Sequence, residues 1–382
     1  MLEEIKRKYS EIFGEEPEIT VRAPGRVNLI GEHVDYQGGY VFPIAIDKYI
    51  YFAGKKRNDG IIKIYSYNYR QIYETEIENI TYTEEFPWAN YLLGVFKFSG
   101  ERISGANIVF GGNIPVGSGL SSSAAVEIAT ASFIQKLTGK IFEPLRVIEI
   151  AKRAENEFVG VPCGIMDQFS SYLCKKNYGL LLNCKTLDYQ YIPLNLGNYK
   201  ILLVDTKKER KLVSSEYNKR VESVNNVLEV IKKKKKDVEL LVDVSKDMLE
   251  KIKGEIDELS FKRALHIIEE NGRVLKSVEF LKNGDIESFG SLLYKSHESL
   301  KNLYEVSCEE LDLIVDFSKN YKGAIGARLT GAGFGGCAIV IIDKDRIDNF
   351  ENELKKEYRN YFGKQPEFYR VNSVNGAYYE LD

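Results

Sequence analysis

The sequence predicts an α+β fold of two domains, and three observations carry that expectation. The chain has 382 residues, enough for two hydrophobic cores of ordinary size. Stretches rich in β-branched and aromatic residues crowd its first part, whereas helix-forming Glu, Lys and Leu dominate after about residue 205. Strands and helices follow one another without the regular alternation that a doubly wound parallel sheet needs. A boundary near residue 200 is expected, giving residues 1–200 and 201–382, with the last strands free to return to the first domain.

Taken in order, residues 1–13 alternate charged and apolar side chains at helical spacing. Residues 18–30, 40–53 and 61–65 have strand composition, a helix runs over 88–99, and 105–110 is again a strand. Residues 120–137 and 144–158 carry helical periodicity with few breakers. Residues 178–183 and 201–205 are short buried strands, and 214–235 is a helix ending in the lysine run at 232–236. Acidic Glu229, Asp237 and Glu239 flank that run, so it is a solvated helix end rather than a basic binding patch. Residues 325–330 and 337–342 form two strands joined by a glycine-rich turn.

Composition narrows the chemistry. A formal net charge of −3 gives no reason to expect nucleic acid. The longest apolar runs are of strand length, too short to span a bilayer, and the N-terminus has no signal-peptide core. Five cysteines without close pairing are read as free thiols, and a cytoplasmic location is expected. The three histidines (His33, His266, His297) are not at metal-ligand spacing from one another, which argues against zinc. Catalysis then has to rest on carboxylates, arginine, tyrosine and a cofactor.

Three segments concentrate that chemistry. The first is Arg22-Ala23-Pro24-Gly25-Arg26-Val27-Asn28-Leu29-Ile30-Gly31-Glu32-His33-Val34-Asp35-Tyr36. An apolar strand ends abruptly in Glu-His-x-Asp, a set of polar groups suited to a polyol, and Arg26 is a fixed cation suited to a phosphoryl group. A polar turn between two strands is the plainer alternative on composition alone. The second is Gly112-Asn113-Ile114-Pro115-Val116-Gly117-Ser118-Gly119-Leu120-Ser121-Ser122-Ser123-Ala124, a glycine-rich loop opening into an apolar helix. Inward-turned N–H groups and a helix N-terminus make phosphate its natural ligand. The lysine that defines a P-loop is absent. The third is Leu329-Thr330-Gly331-Ala332-Gly333-Phe334-Gly335-Gly336-Cys337, which leads into a strand rather than a helix, so it fits a dinucleotide fingerprint poorly, and a structural hairpin is the plainer alternative.

The first segment resembles the sugar signature of galactokinases, within the GHMP small-molecule kinase superfamily; the second and third resemble that superfamily's phosphate loop and third motif. The likeness extends over nearly the whole chain. It implies a two-domain GHMP kinase fold, with a ribosomal protein S5 domain 2-like N-terminal domain, an α+β C-terminal domain and the active site in the cleft between them. It implies transfer of the ATP γ-phosphoryl group to the anomeric hydroxyl of galactose, with Mg2+. Glu32, His33, Val34 and Asp35 would lie along the sugar and Arg26 near the transferred phosphate; the family usually has threonine at position 34, where backbone contact is expected. Gly117, Ser118, Gly119, Leu120, Ser121, Ser122 and Ser123 would wrap the ATP phosphates. Gly331, Gly333, Gly335 and Gly336 would support the nucleotide loop.

Pro162-Cys163-Gly164-Ile165-Met166-Asp167-Gln168 resembles the family segment that holds the catalytic aspartate. Asp167 is accordingly expected as the base, where helix N-capping is the plainer alternative. Glu155 would bind magnesium with Ser123, and Gly164 would let the backbone approach the sugar. Tyr217 matches a sugar-contacting tyrosine, against the alternative of a helix aromatic among 25 tyrosines. Trp88 matches a residue near adenine and Ser66 is placed with the nucleotide; core packing is the alternative for Trp88. A kinase for N-acetylgalactosamine or another sugar shares much of the pattern, and a non-catalytic galactose/ATP sensor is a third reading. The intact Gly-Leu-Ser-Ser-Ser-Ala loop argues against the sensor.

Overall fold

A computed structural model describes residues 1–115, 117–208 and 213–380; Val116 of the phosphate loop lies outside them. Its first sheet has five strands in the order Ile19–Asn28, Pro43–Lys56, Ala106–Gly112, Ile61–Ser66 and Gln71–Glu76. The pairing is antiparallel except between Ile61–Ser66 and Ala106–Gly112. The register of the first pair slips between Pro24 and Arg26. Proline has no N–H to give to the ladder, and a bulge there re-aims the following side chain. The Arg26 N–H instead donates to the Leu120 carbonyl at 3.2 Å, tying the sugar segment to the phosphate loop.

Behind this sheet lies the helix Ser122–Thr138, buried along most of its length because Ala, Val, Ile and Phe occur on every side. An all-round apolar helix has to be central. Ala89–Phe98, Pro144–Arg153 and Met166–Leu173 pack around it. Pro144 opens its helix at a position where proline is tolerated, and the last turn widens into a π-helix over Ala154–Val159 that closes at Gly160. Phosphate-loop helicity begins two residues later than periodicity predicts, because Ser121 takes a left-handed conformation, φ 58°.

A second sheet is antiparallel in the order Ala324–Leu329, Cys337–Asp343, Tyr199–Asp205 and Glu367–Val371. Helices Val213–Lys234, Glu258–Lys282, Ile286–Asn302, Glu309–Asn320 and Ile347–Phe362 accompany it. The strand Glu367–Val371 stays in this sheet, but the chain beyond it crosses back to the first. Val374 donates its N–H to the Ala45 carbonyl at 3.1 Å and Gly376 to that of Cys174 at 2.6 Å, and Glu380 pairs with Arg22.

Two strands before residue 200 escape sequence reading. Gln71–Glu76 and Tyr189–Pro193 are edge strands, mostly exposed, so their composition is polar and their alternation weak. The stretch 40–53 divides: Tyr40–Val41 joins a small sheet with Tyr178–Asn183 and Tyr189–Pro193, while Pro43–Lys56 joins the large one. The lysine run ends its helix as expected, with Lys232 and Lys235 paired to Glu229 and Asp237, and Lys234 to Glu255.

Candidate active site

The bulge at Pro24 delivers Arg26 to a pocket of about 250 Å³ lined by the sugar segment, the loop 160–167 and Gly331–Ala332. Arg26 grips Asp167 with a fork, Nε to Oδ1 and Nη2 to Oδ2, both 2.8 Å, and its Nη1 donates to the Gly119 carbonyl at 2.7 Å. The Ser121 hydroxyl donates to Asp167 Oδ2. Asp167 is the second residue of its helix and Ile165 holds the N-cap position, so capping does not explain it. One carboxylate is thus fixed by three donors while part of it faces the pocket.

Asp35 lines the same pocket. Burial pushes its carboxyl up to about 7, with repulsion from Asp167 and Glu32 adding to the effect. Gly164 packs directly on it: a Cβ there would stand 1.6 Å from Asp35 Oδ2, so any other residue would push this carboxylate aside. Tyr217 closes another wall, its ring centroid 5.6 Å from His33 and 5.7 Å from Tyr36.

Glu32 and His33 line the pocket but are already engaged. Glu32 Oε1 accepts from the Gly331 N–H at 2.7 Å and the Thr330 hydroxyl at 3.1 Å, and pairs with Arg328 at 3.1 Å. Among the described residues its Oε2 accepts only from Asn28, at 3.1 Å, which leaves acceptor capacity on that oxygen. His33 has φ 62°, and burial drives its imidazole down to about 3, so the ring is neutral. Since the Ala332 carbonyl 3.1 Å from Nε2 can only accept, Nε2 carries the proton and Nδ1 accepts from Tyr36. Val34 turns its side chain into the core; its carbonyl accepts the N–H groups of Gln37 and Gly39 at 3.1 and 2.8 Å.

The phosphate loop divides its serines. Ser118 donates to the Pro115 carbonyl at 2.7 Å and shapes the loop, while Ser121 serves Asp167. Ser122 and Ser123 line a second cavity of about 320 Å³ together with Ser66, Trp88, Tyr91 and Phe110. Trp88 packs against Phe110, centroids 5.5 Å apart, and also lines this cavity. Its indole N–H donates to Gln71 at 2.7 Å. Gly331 bridges to the loop, with a Cβ there only 3.1 Å from the Gly119 carbonyl.

Ser123 lies by Glu155, which sits in the π turn, and favours its charged form. Burial pushes the Glu155 carboxyl up to about 7, helped by Asp167, while donors from Ser123, Cys163 and Gln168 oppose that. The Gln168 amide donates to Glu155 Oε2 at 2.6 Å and to Glu127 Oε2 at 3.0 Å. Among the described residues no group of three or more His, Cys, Asp or Glu could hold a metal ion.

This arrangement of sugar segment, phosphate loop and third motif coincides with matches to three family models. The "Galactokinase galactose-binding signature" covers residues 7–56, "GHMP kinases N terminal domain" 90–175 and "GHMP kinases C terminal" 277–360. A galactokinase of Fusobacterium nucleatum is 42% identical over 385 residues, covering 99% of both chains. The chain belongs to the galactokinase family. A galactokinase of Thermotoga petrophila is 44% identical over 361 residues, 94% of this chain and 99% of that one. The crystal structure of Lactococcus lactis galactokinase complexed with galactose matches with a TM-score of 0.94 at 33% identity, covering 98% of each chain. Methanococcus jannaschii mevalonate kinase, at 22% identity and a TM-score of 0.65, shares the GHMP fold.

Within this galactokinase fold, four contributors were not singled out by sequence reading. Arg328 is fully buried beneath Glu32, and Thr330 and Asn28 complete its seat. Gln168 joins Glu155 to Glu127. An arginine inside an otherwise apolar strand was the available signal for Arg328, since such a charge is rarely buried without a partner. Among the described residues no helix is long and apolar enough to cross a membrane.

Proposed function

We propose that this chain transfers the γ-phosphoryl group of ATP to the anomeric hydroxyl of galactose, giving galactose 1-phosphate and ADP. The observation that carries the reading is the Arg26–Asp167 fork on the wall of a sugar-sized pocket, touching the phosphate loop through Gly119 and Ser121. Phosphoryl transfer asks chiefly for alignment and charge stabilisation. Asp167 accepts the hydroxyl proton, its remaining lone pairs turned to the pocket and its position set by Arg26 and Ser121. Arg26 adds positive charge between base and loop. Asp35, the free side of Glu32, Tyr217 and the Gly164 backbone surround the sugar; His33 shapes the wall as a neutral ring. The cavity at Ser66 and Trp88 takes the nucleotide base side.

The donors fit Mg2+. Ser123 and Glu155 offer two hard oxygens beside the phosphate loop, and magnesium is usually held by one or two protein groups plus phosphates and water. When bound, the ion supplies neutralisation of phosphate charge. Gln168 fixes the Glu155 carboxylate by donating to Oε2. Five cysteines, none of them in a disulfide, suit a reducing, cytoplasmic setting.

An ADP-release assay over galactose, glucose, 2-deoxygalactose and N-acetylgalactosamine tests the proposal. Turnover is expected on galactose; preference for the N-acetylated sugar would reassign the substrate, and tight galactose binding without turnover would make the chain a sensor.

A further inference from the structure

The backbone of the sugar turn is held from behind by a buried network that does not reach the pocket. Helix Glu258–Lys282 presents His266, Glu270 and Arg273 at intervals of four and three, hence on one face. The Gly31 N–H donates to Glu270 Oε1 at 3.0 Å, and the His266 ring meets the Glu32 carbonyl through Nε2 at 3.1 Å. Arg273 anchors both, donating to Glu270 Oε2 at 2.6 Å and to the Ser299 hydroxyl at 2.8 Å, and Ser299 lies 2.8 Å from His266 Nδ1.

Donor roles follow without ambiguity. The Glu32 carbonyl can only accept, so Nε2 of His266 carries its proton and Nδ1 accepts from Ser299. Burial keeps this imidazole neutral, driving it down to about 3. A directed chain therefore runs from Arg273 through Ser299 and His266 to the carbonyl that immediately precedes His33. The next residue needs such support: His33 occupies a left-handed conformation, φ 62°, which is strained for a non-glycine residue. Tyr304 fills the space between, its ring centroid 4.8 Å from His266 and 4.7 Å from His33. His266 and Glu270 are fully buried, where apolar residues would stabilise a core as well or better.

We infer that His266, Glu270, Arg273 and Ser299 form a positioning network that fixes the strained Gly31–Glu32–His33 backbone and thereby sets affinity for the sugar, independently of the nucleotide. The inference rests on the reading of the adjoining pocket as the sugar site.

The test compares calorimetric affinities for galactose and for ATP, with melting temperatures, in the wild type, His266→Leu, His266→Gln and Ser299→Ala. Leucine removes the donor to Glu32 at similar volume, whereas glutamine retains an N–H. The network predicts galactose binding weakened about tenfold in His266→Leu with ATP affinity unchanged. Glutamine should recover most of the loss, and Ser299→Ala should show a smaller weakening of the same selectivity. Unchanged galactose affinity in Ser299→Ala, or equal impairment by leucine and glutamine, would overturn the proposal. So would a parallel loss of both ligands with falling melting temperature. The near-isosteric Ser299→Ala keeps the test decisive should His266→Leu fail to fold. A wild type that does not bind galactose would sink the functional reading instead, before any variant is compared.

Discussion

Arg26 and Asp167, 141 residues apart in sequence, meet through two hydrogen bonds of 2.8 Å each. The fork has little freedom to rotate, so the carboxylate keeps one orientation toward the pocket. Replacing Asp167 by Asn removes the proton acceptor while preserving shape. Turnover should fall by ~10²–10⁴-fold with ATP affinity retained. Steady-state kinetics with an ATP titration checks this; wild-type turnover would remove Asp167 from the mechanism.

Arg26→Lys tests geometry apart from charge. A lysine cannot hold both Asp167 oxygens and the Gly119 carbonyl together, so kcat should drop at least tenfold, on the order of one lost charge-assisted bond. Ser121→Ala removes one donor to the same carboxylate and should cost less than Arg26→Lys. Equal kcat in all three proteins would show that Asp167 needs no fixing.

Asp35 supplies a pH dependence with an unusual sign. Its folded carboxyl titrates near 7, above the 3.8 of an unperturbed aspartate, because burial and then Asp167 disfavour the charge. Between those values the folded state holds a proton that the unfolded state has lost. Stability contributed by Asp35 is therefore present at pH 4 and declines as pH rises toward 7. Asp35→Asn should melt higher than wild type at pH 8, with the gap closing toward pH 4, and should bind galactose more weakly. Calorimetric melting across that range decides it.

Gly164→Ala and Gly333→Ala should fail differently. At Gly164 the methyl meets only the Asp35 carboxylate, so the sugar KM should rise by about tenfold or more with limited change in melting temperature. At Gly333 it would stand 2.2 Å from the Val306 carbonyl at a φ of +83°, and about 1–3 kcal/mol of stability should be lost. Thermal melting and sugar titrations on both variants separate the two outcomes.

What sequence could disclose depended on how locally each feature is encoded. Arg26, Asp35, Asp167 and the glycine loops stand in contiguous motifs, so they were legible. The roles of Ser118 and Ser121 were not: the two are equivalent on paper, and only the left-handed turn at Ser121 sends its hydroxyl to Asp167. The same holds for Glu32 and His33. Their partners Thr330, Gly331 and Ala332 lie about 300 residues downstream, and no local pattern reports that contact. Edge strand Gln71–Glu76 stayed hidden because a half-exposed strand carries little apolar alternation.

The chain leaves the first sheet's neighbourhood and later returns to it by adjacent routes. Strands Tyr199–Asp205 and Glu367–Val371 are paired, Val371 opposite Ile201, and residues 374–380 then dock on Ala45, Cys174 and Arg22. Topologically, the four-stranded sheet and its helices are an insertion whose entry and exit are sewn side by side. In order of synthesis, the strands of the first sheet come early and the residues that dock on its edge come last. The contacts of residues 374–380 with Ala45, Cys174 and Arg22 are thus the last of that end's contacts to become available as the chain is made.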